Sequence, residues 1–517
     1  MSVGAAELGG NGSLAVIAPA TGEVLGRVPV LGAAEVRVLV SRARAAQPAW
    51  AAAGFRARGR HLDRYRRVMA AHADELAELS CSETGKLRFE ALLGDVLPTC
   101  DLARWYVRRA AKVLGRRRVP SGWLVTKRCY QVREPYGVIG VISPWNFPVL
   151  NTMRAVLAGL AAGNTVVLKP SEYSPLTALR LQELAEEAGL PADVFLVATG
   201  DGTTGAALIE AGVDKVSFTG SVESGRRVAR LAAERLVPVT LELGGKDALI
   251  VLADADVERA AHTAVAGAFL NAGQVCISVE RAYVEAPVYD RFLEHVVRAA
   301  AALEVGSDGV GGGAVGAITT KAQMERLARQ IRDAVERGAR VLVGGRRLEG
   351  RGRYFLPTVL ADVDHSMAVM REETFGPVLP VMKVRDAEEA LRLANDSPYA
   401  LGASIFGARR RAERLAPELR SGMICVNDVM VNGLVPGLPF GGAGTSGYGR
   451  VCGDDGLLEM SRPRAFVFDR RLAARSLADY RLLLRAGWPR MLGFIGLLHG
   501  AGRVRLRALR RLLRGEP

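Results

Sequence analysis

A thiol, a carboxyl and a primary amide, each set among glycines, prolines or apolar residues, are the groups best suited to covalent chemistry on a carbonyl: Cys276, Glu242 and Asn146. Cys276 follows Gly273, Gln274 and Val275 and precedes Ile277 and Ser278. A lone cysteine among such residues is ordinarily packed core. Gly273 and Ser278 nevertheless leave room for a ligand and for the Cys276 N–H to face a carbonyl oxygen, making the thiol a candidate nucleophile. Glu242 ends an apolar stretch and is followed by Leu243, Gly244, Gly245 and Lys246. Burial there would raise its pKa toward the range a general base needs, unless Lys246 pairs with it. Asn146 lies between Trp145 and Phe147 in a loop flanked by Pro144 and Pro148. Its amide can donate to a developing oxyanion, or close an Asx-turn.

Two further segments suit a dinucleotide. Lys169, Pro170, Ser171 and Glu172 follow an apolar run and set a cation beside a carboxylate, a pairing fit for ribose hydroxyls. Phe218, Thr219, Gly220 and Ser221 open a helical stretch through Gly225, so backbone N–H groups can face a phosphate. The spacing from Gly220 to Gly225 is not the G-x-G-x-x-G fingerprint, and a Gly-Ser turn alone is weak support.

These residues need elements to hold them. A length of 517 residues exceeds what one core accommodates, so at least two domains are expected. With 49% apolar and 24% charged residues, the chain reads as globular rather than disordered. Helical periodicity runs through residues 34–93. Beyond Pro135, short apolar runs bounded by Gly and Pro (138–142, 165–168, 194–197, 216–218) read as buried parallel strands. Helical stretches such as 176–188, stopped at Gly189 and Pro191, alternate with them. A second series follows Gly245, with runs at 248–252, 282–284 and 340–343, and continues to about Val426. The expected class is therefore α/β, with two doubly wound domains.

Six cysteines (Cys81, Cys100, Cys129, Cys276, Cys425, Cys452) form no C-x-x-C pair, which points to a reducing compartment and to no metal site. The first dozen residues lack a basic start and apolar run, so a cytoplasmic location is expected. The net charge of +15 is not a nucleic-acid footprint: from Arg470 onward twelve arginines face Asp479 and Glu516, and ten of the fifteen charges lie there. That tail combines arginines with apolar runs such as 482–484 and 491–498, too short to span a bilayer. It suits either peripheral contact with the inner face of a membrane or docking on protein.

Taken with Glu372 to Pro377, Pro439 to Gly442 and Ser446 to Arg450, the motifs around Asn146, Lys169, Gly220, Glu242 and Cys276 resemble the aldehyde dehydrogenase superfamily in identity and order. The resemblance covers roughly residues 14–468. It implies that Cys276 is the nucleophile, Glu242 the general base and Asn146 the oxyanion-hole amide. It implies cofactor contacts from Trp145, Lys169, Ser171, Glu172, Gly220, Ser221, Glu373 and Phe375. The implied reaction is NAD-dependent oxidation of an aldehyde to an acid through a thiohemiacetal and thioester, with NADP as the alternative cofactor. It further implies a cofactor domain (14–115 and 137–243), a catalytic domain (244–436), a bridging β element (116–136 and 437–468) and a homodimer or homotetramer. The tail is 469–517. Within the superfamily, residues 271–281 and 426–429 look like the branch containing succinate-semialdehyde and diapolycopenedial-type dehydrogenases. The tail tilts the substrate toward a hydrophobic aldehyde. A catalytically silent binding protein on the same scaffold, or an esterase, is the competing reading.

Overall fold

A computed structural model describes residues 8–9, 12–124, 126–306, 313–350, 352–469 and 491–514. The chain divides into two compact units, one of Met1–Leu114 with Glu134–Arg462 and one of Gly115–Arg133 with Pro463–Pro517.

The first unit is built on two sheets. Strands β1 (Val138–Ile142), β2 (Thr165–Lys169), β3 (Lys215–Thr219) and β4 (Val239–Glu242) belong to a six-stranded sheet, in which β1 lies between β2 and β3, and β4 beyond β3. All these pairings are parallel. Parallel strands covered on both faces need apolar residues at every position, and all five residues of β1 are buried. Its Ile139 and Val141 enter one core with the helix Leu150–Ala162, while Val138 and Ile142 enter a second with Val36, Leu208 and Val228. The seven-stranded sheet contains β5 (Ala248–Val251), β6 (Arg281–Glu285) and β7 (Gly402–Phe406), with β5 between the other two. An antiparallel edge strand, Arg340–Val343, flanks its parallel portion. The α/β class holds, and the four strands read from the first series lie within two residues of their expected limits.

Residues 437–462 belong to the first unit, where the strand Gly447–Tyr448 pairs antiparallel with β4, Gly447 opposite Glu242 and Tyr448 opposite Leu241. The physical reason is Gly447, whose φ of +106° and lack of a Cβ let the chain approach: a Cβ there would sit 2.1 Å from the Leu241 carbonyl oxygen. Ser446 Oγ adds a hydrogen bond to the Gly244 carbonyl at 2.8 Å.

In the second unit, Arg117–Val119, Lys127–Pro135 and Ser461–Asp469 form a three-stranded sheet. Lys127 pairs with Asp469 at 2.8 Å, and the Arg116 guanidinium sits 3.5 Å from the Tyr130 ring centroid. Residues 491–499 and Arg503–Arg514 are helical. The expected apolar run at 482–484 lies outside the described residues. No described helix is long and apolar enough to cross a membrane.

One buried ion pair ties the loop after Glu372 to the seven-stranded sheet. Lys246 Nζ lies 2.7 Å from Glu280 Oε2 and donates to Thr374 Oγ1 at 2.8 Å. Glu280 also accepts the N–H groups of Thr374 and Phe375 at 2.9 and 2.8 Å. Removing one partner of such a pair strands a buried charge, so Glu280→Ala is expected to cost about 3–5 kcal/mol. A thermal unfolding midpoint equal to that of the unchanged protein would show the pair is dispensable.

Candidate active site

The helix Val257–Phe269 ends in a tight reversal, with Asn271 and Ala272 at φ +52° and Gly273 at φ +70°, which delivers Cys276 ahead of β6. Only glycine fits at 273, where a Cβ would lie 2.2 Å from the Gly376 carbonyl oxygen. From the other sheet, Glu242 ends β4 and Gly245 follows so closely that a Cβ on it would lie 2.6 Å from the Cys276 carbonyl oxygen. The backbones of both segments therefore touch at Gly245 and Cys276.

Cys276 lies in the wall of a cavity of about 450 Å³ that Phe147, Leu150, Val275, Met430 and Phe440 also line. Burial pushes its thiol up to about 12, opposed by the nearby Arg154 and reinforced by Asp247, Glu242 and Glu373. Burial likewise holds the Glu242 carboxyl well above the usual carboxylate range, against the pull of Arg154 and Arg450. Neither Glu242 oxygen has a hydrogen-bond partner. Lys246, the partner the sequence offered, is committed to Glu280 and Thr374 instead. A buried, unpartnered carboxyl is costly, and such strain concentrates where a group must work.

Asn146 closes no Asx-turn. Its Nδ2 donates to the Gln274 carbonyl at 3.0 Å, and Asn151 Nδ2 donates to its Oδ1 at 3.1 Å, which fixes the amide with its nitrogen toward the cysteine loop. Its own carbonyl accepts from Lys86 Nζ at 2.8 Å and Asn271 Nδ2 at 3.0 Å.

Sequence reasoning missed Arg154. It sits in the helix Leu150–Ala162, all thirteen of whose residues are buried. Its guanidinium lies 4.1 Å from the Phe440 ring centroid and donates to Asn151 Oδ1 at 3.1 Å and to the Gly433 carbonyl at 2.8 Å, leaving Nε without a partner. The available signal was a single cation in an otherwise apolar helix.

The remaining candidates form two banks. On the six-stranded sheet, Lys169 ends β2 as a buried ammonium 3.5 Å from Glu172, and Ser171 Oγ reaches Glu172 at 3.4 Å. Burial lowers the Lys169 pKa, with Glu172 opposing. Ser221 caps the helix Val222–Glu234 by accepting from the Ser224 N–H, and Gly220 N–H donates to the Glu242 carbonyl at 3.0 Å. On the other bank, Glu373 accepts from the Gly245 N–H at 3.1 Å, with burial raising its carboxyl to about 7. Phe375, at φ +53°, meets Trp145 edge-on with centroids 5.6 Å apart. A buried lysine with one carboxylate at hand and an open helix N-terminus with Gly225 pressed against Leu243 fit a dinucleotide.

A half-buried thiol within an α/β frame of two sheets is open to covalent chemistry on a carbonyl. The model of the aldehyde dehydrogenase family matches residues 8–466, and the chain belongs to that family of NAD(P)-dependent enzymes. It is 40% identical over 493 residues to 4,4'-diapolycopene aldehyde oxidase of Methylomonas sp, spanning 94% of this chain and 92% of that one. It is 39% identical to succinate-semialdehyde dehydrogenase [NADP(+)] of Escherichia coli, over 84% of this chain and 89% of that one. Among solved structures, a putative aldehyde dehydrogenase from Burkholderia cenocepacia superposes with a TM-score of 0.87 at 36% identity, covering 90% and 96% of the two chains. An NAD+ complex of the Bacillus cereus enzyme gives 0.85 at 33%, covering 88% and 93%.

Because the Arg154 charge opposes the rise of the Cys276 pKa, Arg154→Met is expected to move the pH profile of Cys276 alkylation by iodoacetamide upward. The rate at a fixed lower pH should fall about tenfold per unit of displacement. Peptide mass mapping isolates Cys276 from the other thiols. An unmoved profile would mean the guanidinium charge does not reach the sulfur.

Proposed function

We propose that this enzyme oxidises a hydrophobic aldehyde to the free acid, with Cys276 as nucleophile, Glu242 as general base and Asn146 with the Cys276 N–H as the oxyanion hole. The observation that carries this reading is the buried, unpartnered Glu242 carboxyl, three residues before the Gly245 that packs against the Cys276 backbone. Cys276 releases its proton to solvent water and its sulfur adds to the aldehyde carbon, the carbonyl π pair moving onto oxygen, and the resulting oxyanion is held by the fixed Asn146 amide and the backbone N–H, a contribution typically worth about 3–4 kcal/mol. Bound NAD supplies the hydride acceptor, with Lys169, Ser171, Glu172, Gly220 and Ser221 toward its adenosine and pyrophosphate, and Trp145, Glu373 and Phe375 toward its nicotinamide end. Glu172 beside the ribose position favours NAD over NADP, because a carboxylate repels a 2′-phosphate. Glu242 then takes a proton from the water that attacks the Cys276 thioester, releasing acid and thiol.

The cavity lining supports the hydrophobic substrate class. Arg154 is its one lysine or arginine, and two of its donors are already used. A dicarboxylic semialdehyde needs a free cation for its distal carboxylate. The lone Nε of Arg154 is the observation that favours that second reading. Alignment to the diapolycopene enzyme spans 94% of this chain, so it must run past residue 466 into the tail, in keeping with a shared apolar substrate class. The helix Arg503–Arg514 sets exposed Arg503, Arg505, Arg507 and Arg510 among exposed Val504, Leu506 and Leu513, a composition suited to an anionic lipid surface. The exposed Val467 and Phe468 on the strand Ser461–Asp469 suit pairing with a second copy, as a homodimer or homotetramer.

Reduced-cofactor formation at 340 nm should be strongest with long alkanals or polyene aldehydes and weak with succinate semialdehyde; the reverse order would move the assignment to the second reading. Glu242→Gln should keep a stoichiometric burst of reduced cofactor but lower the steady state about 10²–10⁴-fold, whereas Cys276→Ala should show neither. Since Glu242 works only ionised and its pKa is raised, steady-state rate should climb with pH across the neutral range in the unchanged enzyme. An equal burst and steady state in Glu242→Gln would remove that residue as the base.

A further inference from the structure

The mouth of the cavity carries a second feature. Two segments contribute to both its wall and the protein surface. Gly94 lines the cavity and packs on Phe147, while its neighbours Leu93 and Leu97 stand in solvent. Val431 and Leu434 line it and are exposed as well, and Val435 and Leu438 continue the exposed surface beyond them. All six side chains are 42–59% exposed. The two segments adjoin, since a Cβ on Gly437 would lie 2.8 Å from the ring of Trp105, on the helix that begins at Leu97. Between Val431 and Leu438 there is no charged residue, and between Leu92 and Leu97 the only one, Asp95, is fully buried.

Six large aliphatic side chains in water, on two stretches that expose no charge of their own, with Asp428 in the cavity wall and Asp101 a turn beyond Leu97, are not an ordinary soluble surface. Resting on the hydrophobic-aldehyde reading above, we infer that this rim seats on a lipid bilayer, so that an aldehyde dissolved in the membrane enters the cavity without crossing water. The rim is continuous with the apolar cavity wall, so the surface that would touch lipid leads to Cys276. A second copy of the chain seated there would cover the entrance the substrate must use. The arginine-rich helix Arg503–Arg514 independently equips the same chain for an anionic surface.

The test uses the full chain, a double variant Leu93→Glu with Leu97→Glu, and phosphatidylglycerol vesicles carrying hexadecanal, with benzaldehyde in buffer as the soluble comparison. Turnover of vesicle-borne hexadecanal is expected to fall about tenfold or more in the variant, because two carboxylates oppose insertion of the rim, while benzaldehyde turnover stays within about twofold. Vesicle co-sedimentation should weaken in parallel. Unchanged turnover of vesicle-borne hexadecanal would overturn the inference. So would an equal loss on both substrates, which would mean cavity damage, or a changed sedimentation coefficient, which would make the rim a subunit contact. Failure of the unchanged enzyme on hexadecanal in both vesicles and detergent solution would instead overturn the substrate reading, and this inference with it.

Discussion

Backbone-to-backbone contact without intervening side chains is the constraint on which the site depends. Gly245 lies against the Cys276 carbonyl, Gly273 against the Gly376 carbonyl, and Gly447 against the Leu241 carbonyl, each closer than any Cβ would allow. Gly441 lies as close to a side chain, where a Cβ would sit 2.5 Å from Glu242 Oε1. Of these, the Gly245 contact joins the segments that follow β4 and precede β6, so a side chain at 245 would push those two segments apart however well each sheet folded by itself.

The same closeness sets the electrostatics. Burial raises the pKa of both the thiol and the carboxyl, and Arg154 offers a positive charge that favours the ionised form of each. The guanidinium is held in turn by Asn151, the Gly433 carbonyl and the Phe440 ring. Asn151 also orients Asn146, so one side chain serves both the charge and the amide. Neighbouring groups in a dry site act as one network, and their contributions are not separable by single substitutions.

Much of this was legible in the residues. The uninterrupted apolar runs at 138–142 and 165–168 could bury both faces only within a parallel sheet, and the Gly189 and Pro191 stop placed a helix end within a residue or two. Cys276 and Glu242 were legible as chemistry because glycines surround them. The partners that tune them were not. Lys246 stands four residues from Glu242 yet pairs with Glu280, thirty-four residues on, a choice set by sheet order rather than local spacing. Arg154 carries no motif, and a lone arginine in an apolar helix reads equally as a satisfied core charge. The pairing of Gly447 and Tyr448 with β4 was not legible either, because it depends on a close approach that no periodicity encodes.

That late strand has a consequence for synthesis. Glu242 acquires its surroundings from Gly441 and the Gly447–Tyr448 pairing, some two hundred residues further along the chain. A chain emerging from the ribosome N-terminus first can complete β1 to β4 and even place Cys276 while the base still faces water as an ordinary ionised carboxylate. From residue 276 to residue 447, about a third of the 517-residue synthesis, the nascent protein therefore carries both side chains with Glu242 not yet enclosed, and the burial that raises its carboxyl pKa arrives only with the last stretch of the body.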